Sequence, residues 1–430
     1  MNAEGSPNQV ESEGLSRLKL PLLCFIAVSP SLGTAVAALG RLLLYLWGLS
    51  ALITSLSEKK ENRTWRVNKP VTIIILIACG YFALSTAWSQ VDGQSAWTAW
   101  SRYARLITIP LMYYLIKNNK DGISVLRAFT GTQVFVCLSS WLLVFGIHPP
   151  WISAISPDET YASFGTYLEE SIAQSVMVGI LWFKRSTIFG PKGKPLALFA
   201  ISCSVSLVLL FLNGRTGHLC MLGIIALACL RGLPAKKRLL ALLAPVLAAG
   251  VLWVTSPSFQ SRSATTYQEL IKFRNTKTID TSIGTRLHFW LISLKGIAAH
   301  PIEGVGAGSW KIEYQHQTES SIAGNQGSIS NSIQGADDPH QLFMLWGVEG
   351  GLIGLALLAV TLTILSRQSR HLNDEDAWVL RAMVMTLVIS SLFNSILHGI
   401  GMGDFFCVGI GIILSLGIDN DAKVQIPKNT

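Results

Sequence analysis

The number of long apolar runs limits this chain more than any other feature. A helix crosses a bilayer with about 20 mostly apolar residues. Twelve such runs can be read, at roughly 18–34, 36–56, 70–88, 102–117, 123–146, 168–184, 195–212, 215–231, 237–255, 340–366, 377–397 and 402–418. Backbone amides cannot go unpaired in hydrocarbon, so runs of this kind fold as helices. Only 14% of the residues are charged, against roughly 25% in soluble domains. The chain reads as an all-α polytopic membrane protein with about 12 transmembrane helices. A tail at 1–17 precedes spans 1–9 over 18–255; a large loop at 256–339 follows, then spans 10–12 over 340–418 and a tail at 419–430. Pro30 and Gly33 make the tight turn between the first two runs. The first run has no A-x-A cleavage site and reads as a retained span.

A net charge of +9 raises the question of nucleic acid, but the basic residues are interleaved with the spans and form no single patch. Orientation explains them: short loops rich in Lys and Arg stay on the cytoplasmic side. With Arg17 and Lys19 inside, alternate turns hold Lys59, Lys60, Arg63, Arg66 and Lys69, then Lys117 and Lys120, and so on to Arg367 and Arg370. The intervening loops 89–101, 146–167 and 397–401 hold no Lys or Arg. Both tails are then cytoplasmic. All seven cysteines fall inside expected spans, where they pack as small apolar thiols. No spacing suits a metal, and neither repeats nor low-complexity tracts occur.

The 256–339 loop is the one long excursion, on the outer side. It opens with a short helix, "TSPSFQSRSATTYQELIKFRNT". In "SIGTRLHFWLISLKGIAAHP", Leu287, Leu291, Leu294 and Ile297–Ala298 recur at helical spacing. That stripe suits either the bilayer surface or the bundle. Gly304, Gly306 and Gly308 read as a turn, because no strand precedes them as a nucleotide fingerprint requires. The Gly-, Ser- and Asn-rich stretch 323–336 reads as a lid or linker.

Some arginines break the charge rule. Arg41 lies about two turns into span 2 from its outer end; Arg102 and Arg105 open span 4 on one face; Arg215 opens span 8; Arg286 sits in the large loop. An arginine in the bilayer costs roughly 2.5–3.5 kcal/mol, so it faces a wet cavity or a partner. Spans 2, 4 and 8 run inward, so these cations lie at positive helix ends, which favour anions. Singly, each arginine reads as snorkelling or paired with Glu169, Glu170 or Asp404. As a set they suggest a phosphate basin, since guanidinium forks bind phosphate oxygens in pairs.

His340 opens span 10 from the same side. Gly347, Gly351 and Gly354 lie within roughly 40° of it around a helix, so the histidine is expected to face the bundle. Glu349 falls on the opposite side, about 13 Å deeper. Asp337 and Asp338 read as caps, ahead of metal ligands, with Pro339 in the first turn. Structural and catalytic readings of His340 weigh equally here; as a base, an imidazole accepts a proton near neutral pH. His398, near the outer end of span 11, is the second candidate.

Layout and motifs together resemble the O-antigen ligase family of Gram-negative inner membranes. "RTGHL", with Arg215 and Leu219, matches an R-x-x-x-L pattern. "HQLF" at His340–Phe343 resembles H-[S/T]-x-[F/L], with Gln341 in place of the hydroxyl residue. "GTRLHFW…HPIEGVGAGSW" is similar to the stretch that places Arg286 at the superfamily's functional arginine. The resemblance implies transfer of an O-antigen chain from undecaprenyl pyrophosphate to a sugar hydroxyl of lipid A–core at the periplasmic face. Arg215 and Arg286 would bind the pyrophosphate, His340 would deprotonate the acceptor, and Arg41, Arg102 and Arg105 would line the donor or the anionic lipid side. Such an enzyme inverts configuration and needs no metal or other cofactor. Its partners are the two lipid-linked sugars and membrane lipids, not nucleic acid. A polymerase of the same superfamily is the nearest alternative. A transporter is the other, which mid-membrane charges and repeat symmetry would favour.

Overall fold

The computed structural model describes residues 7–57, 67–152, 161–255, 257–276, 281–322 and 337–417, and these are helical without a strand. The expected linker at 323–336, the tail at 419–430 and the basic cluster Lys59, Lys60, Arg63 and Arg66 lie outside the described residues. Helices α1 (Pro7–Val28) and α2 (Thr34–Ser57) form a hairpin across the Ser29–Ser31 turn, closed by Gly33 at φ 107°. There follow α3 (Lys69–Ser85), α4 (Gly93–Ala104), α5 (Thr108–Leu115), α6 (Asn119–Val144), α7 (Tyr167–Phe189), α8 (Lys194–Ser206) and α9 (Arg215–Gly232). Next come α10 (Leu243–Thr255), α11 (Pro257–Thr276), α12 (Ser282–Ala299), α13 (Trp310–Ile322), α14 (Leu342–Gln368), α15 (Asp374–Phe393) and α16 (Ile400–Ser415).

Every expected run carries helix, and the chain is a multi-pass membrane protein. Six helices have the length and apolarity to cross a membrane: Thr34–Thr54, Lys69–Trp88, Asn119–Val144, Pro191–Phe211, Leu342–Gln368 and Asp374–Phe393. The other runs fall short for visible reasons. The run at 102–117 is cut by a tight turn at Arg105–Ile107, which leaves α5 only 8 residues. α7 carries Glu169, Glu170, Lys184 and Arg185. α10 has 13 residues, entered from the Ala235–Leu242 turn.

α7 and α16 form the centre, with Glu170–Leu181 and Met402–Ser415 buried throughout. In lipid, helices gain little by hiding apolar surface from one another, so close packing around small residues holds them together. A Cβ on Gly217 of α9 would lie 2.0 Å from Ser171 Oγ of α7. These helices therefore touch backbone to side chain.

The bundle has two chemically distinct ends. At one, Lys184 of α7 pairs with Asp376 of α15, and Arg231 of α9 pairs with Asp374 at 2.8 Å. The turns there carry Lys117, Lys120, Lys192 and Lys194. The opposite end gathers the 29–34 turn, the start of α7, the start of α9 and the 394–401 loop, together with α12 and the start of α14. All the candidate site residues lie at this end.

The large loop folds back onto the bundle. α14 is broken at Gly351 (φ 60°, ψ −155°), and residues 301–306 fill the break. Val305 and Gly306 N donate to the Val348 and Glu349 carbonyls at 2.9 and 3.0 Å, while Leu352 N donates to Pro301 O at 2.8 Å. Backbone meets backbone, so no side chain fits: a Cβ on Gly304 (φ 67°) would lie 2.5 Å from Gly351 N. Of the three glycines expected to form a turn, Gly308 lies in one, under the Ser309 N to Gly306 O bond of 3.3 Å, and Gly304 and Gly306 serve this clasp at positive φ. Beneath it Phe289, Ile292, Val305, Trp310, Tyr314, Leu345 and Val348 make a second small core. The packed face of α12 is therefore Phe289, Ile292, Ser293 and Gly296, while Leu291 and Leu294 are half exposed. The leucine stripe points away from the bundle.

Candidate active site

His340 does not lie within the helix. Its φ of 49° is the only positive value among described non-glycine residues, a backbone state that costs energy and concentrates at functional sites. Local chemistry makes the state. Asp338 Oδ1 accepts the His340 amide at 2.7 Å, the bond of an Asx turn, and Pro339 fixes φ between them. The same oxygen lies 3.4 Å from His340 Nδ1 and accepts Ser395 Oγ at 3.2 Å. The expected cap is thus an orienting carboxylate. Asp337 also caps nothing; it pairs with Lys311 at 3.0 Å. The cap of α14 is Gln341, whose side chain accepts Met344 N at 2.5 Å. Gln341 thereby does what a hydroxyl residue does at an N-cap.

Because the turn swings the ring off the helix axis, His340 is exposed instead of facing the bundle interior, with a side chain 52% accessible. Its ring meets Phe289 of α12, centroids 6.2 Å apart. Arg286 lies three residues before Phe289, on the same helical face. Burial lowers the Arg286 guanidinium from its ordinary range; the Arg215 charge pushes the same way, and Tyr167 opposes both. Two cations thus stand within range of each other at the start of α9, a strained arrangement that an anion would relieve. Neither Arg215 nor Arg286 has a hydrogen bond or ion pair among the described residues. The site is continuous: Asn394 Nδ2 donates to Thr216 Oγ1 at 3.2 Å, and the adjacent Ser395 donates to Asp338.

The other arginines divide. Arg41 Nη1 pairs with Asp404 Oδ2 at 2.8 Å, and Arg105 Nε lies 3.3 Å from Asp404 Oδ1. Arg105, 3% exposed, also donates to the Leu397 and Gly399 carbonyls at 3.0 and 2.5 Å. Gly403 leaves room for that guanidinium, since a Cβ there would lie 2.6 Å from it. Arg102, partly buried, makes no hydrogen bond or ion pair among the described residues and lines a small cavity with Leu342, Trp346 and His398. His398 is partly buried, with its ring 5.9 Å from that of Tyr103. Glu349 is not idle: fully enclosed, it accepts Tyr103 Oη at 2.5 Å. Sequence reading missed the roles of Asp338, Tyr167 and the Asn394–Ser395 pair. Only the Asp-Pro-His spelling of an Asx turn could have signalled the first.

Residues 196–359 match the family model described as O-antigen ligase. That stretch contains Arg215, Arg286 and His340, and the match supports membership of the O-antigen ligase superfamily. No curated protein matches it. The match suggests an enzyme of the ligase and polymerase kind, a family whose substrates are lipid-linked polysaccharides in general.

Proposed function

We propose that the protein is an O-antigen ligase of the bacterial inner membrane. It transfers polysaccharide from undecaprenyl pyrophosphate to a sugar hydroxyl of lipid A–core, at the periplasmic face. One observation carries the reading: two arginines with no protein anion among the described residues, one of them on the helix whose Phe289 meets the ring of His340, share an end of the bundle with that exposed histidine and its neighbouring carboxylate. The family match to this stretch supports the superfamily, and the single large excursion favours ligase over polymerase.

Arg215 and Arg286 bind the pyrophosphate and stabilise charge as it develops on the leaving group. Asp338 holds the imidazole by Nδ1, which leaves Nε2 to take the proton from the acceptor hydroxyl. The oxygen then attacks the anomeric carbon from the face opposite the pyrophosphate, and configuration inverts. Fixed guanidinium charge replaces a metal ion. Arg102 lines a separate small cavity beside Leu342 and His398, whereas Arg41 and Arg105 brace α2 and the α4–α5 turn against α16 through Asp404.

The test is reconstitution. Purified protein is mixed with lipid-linked O-antigen and rough lipopolysaccharide, with EDTA and without ATP. The reading requires laddered lipopolysaccharide that disappears in His340→Ala and Arg215→Ala. Undiminished ladders in His340→Ala remove the histidine from the mechanism. Growth of the lipid-linked chains instead identifies a polymerase.

A further inference from the structure

A second cavity, largely apolar with a few polar groups, opens at the same end of the bundle, on the other side of the first turn of α7. Pro30, Ser31 and Gly33 of the α1–α2 turn, Gln133 of α6, Phe164, Glu169 and Glu170 at the start of α7, and Phe405 of α16 line a volume of about 90 Å³. We infer that this cavity is a sugar subsite, which holds one ring of the polysaccharide substrates through its hydroxyls. The inference rests on the function proposed above and names the part of the substrate that this region grips.

Two hydrogen-bond acceptors in the lining lack donors among the described residues. Gln133 is 1% exposed; its Nε2 donates to Ser31 Oγ, but its Oε1 has no partner among the described residues. A buried amide oxygen without a donor costs about 1–3 kcal/mol, so a ligand hydroxyl that reaches it is favoured. Glu169 uses Oε2 to accept Thr166 N at 3.2 Å in the capping box of α7, and no hydrogen bond to Oε1 is present among the described residues. Glu170 differs: Ser140 and the Ser163 amide and hydroxyl hold both of its oxygens. It shapes the wall and is not free to bind. No Lys or Arg lines the cavity, so phosphate is excluded and groups that donate hydrogen bonds are selected. Phe164 and Phe405 supply apolar faces for the C–H side of a sugar ring.

Position links the cavity to the reaction. Glu169 lies two residues from Tyr167, which interacts electrostatically with Arg286. A Cβ on Gly399 would lie 3.9 Å from Glu169 Oε1, and Gly399 belongs to the loop that carries Ser395 and its bond to Asp338. A ring held here belongs to a chain that continues over the first turn of α7 toward the arginine pair. Either the donor chain or the core acceptor presents such a ring, and the test separates them.

Two variants probe the site. Glu169→Gln keeps the capping box, which tolerates glutamine, and removes only the charge; Gln133→Leu removes the amide. Saturation-transfer NMR of the detergent-solubilised protein would use oligosaccharides freed by mild acid from rough lipopolysaccharide and, separately, from the O-chain. Wild type should saturate one of the two probes, and both variants should weaken that binding about tenfold, the equivalent of about 1.4 kcal/mol. In transfer assays the KM of the matching substrate should rise about tenfold with kcat little changed. A rise for the acceptor assigns the ring to the core, and a rise for the donor assigns it to the O-chain. Folded variants with unchanged binding and KM, or a fall in kcat alone, overturn the subsite. Probe binding by a protein that transfers nothing overturns the proposed function and leaves the subsite standing.

Discussion

Two arginine groups at one end of the bundle share a residue type and a side of the membrane but differ in company. Arg41 and Arg105 converge on Asp404, and Arg105 is further wrapped by two carbonyls. Arg215 and Arg286 repel each other electrostatically, and neither has an anion among the described residues. A buried cation is tolerable only with a partner. The first pair has its partner in the protein and serves the fold. In the proposed function, the second is left for the phosphate of a substrate. Position relative to a helix end does not separate the groups; what lies across from each guanidinium does.

The comparison breaks most visibly at Asp404. Asp404→Ala strands two guanidiniums and should cost about 3–5 kcal/mol, read as a fall in detergent-solubilised thermal stability and in folded yield. Arg215→Ala and Arg286→Ala should leave stability unchanged or slightly raised, because each relieves repulsion, yet lower kcat/KM by roughly 10²–10³. Equal destabilisation by the two classes would end the distinction between them. Gly304→Ala should lose about 1–3 kcal/mol, the cost of a non-glycine residue at positive φ, and loosen the clasp that seats α12 against α14. Hydrogen exchange at the Val305 and Gly306 amides would report that loosening. The smallest effect is expected from Asp338→Asn: at 3.4 Å the contact is long, so kcat should fall on the order of tenfold, with stability kept by the amide oxygen.

What was legible in the sequence follows from what each feature depends on. Helices in lipid are dictated by local hydropathy, so each expected run carries one, with the turn at Pro30 and Gly33 in place. The number of spanning helices was less legible, because length alone does not show where Arg105–Ile107 interrupts a run. The break at Gly351 was invisible: a glycine in an apolar run reads as a packing stripe until residues 301–306 arrive to complete its hydrogen bonds. Asp404 stands 363 residues from Arg41, so only the fold could separate braced arginines from unpaired ones. Arg215, Arg286 and His340 were singled out because a charge or an imidazole at a helix mouth is anomalous locally. The orientation of His340 was misjudged because its left-handed backbone and exposure come from a three-residue turn, which helical periodicity cannot describe.

The central claim is that the unpaired arginines, and not the braced ones, hold the pyrophosphate. Calorimetric titration of inorganic pyrophosphate into the purified protein, in EDTA, tests it directly. Wild type and Arg41→Gln should bind alike, and Arg286→Gln should lose binding by tenfold or more. Full binding by Arg286→Gln, or its loss in Arg41→Gln while that variant remains folded, would contradict the account.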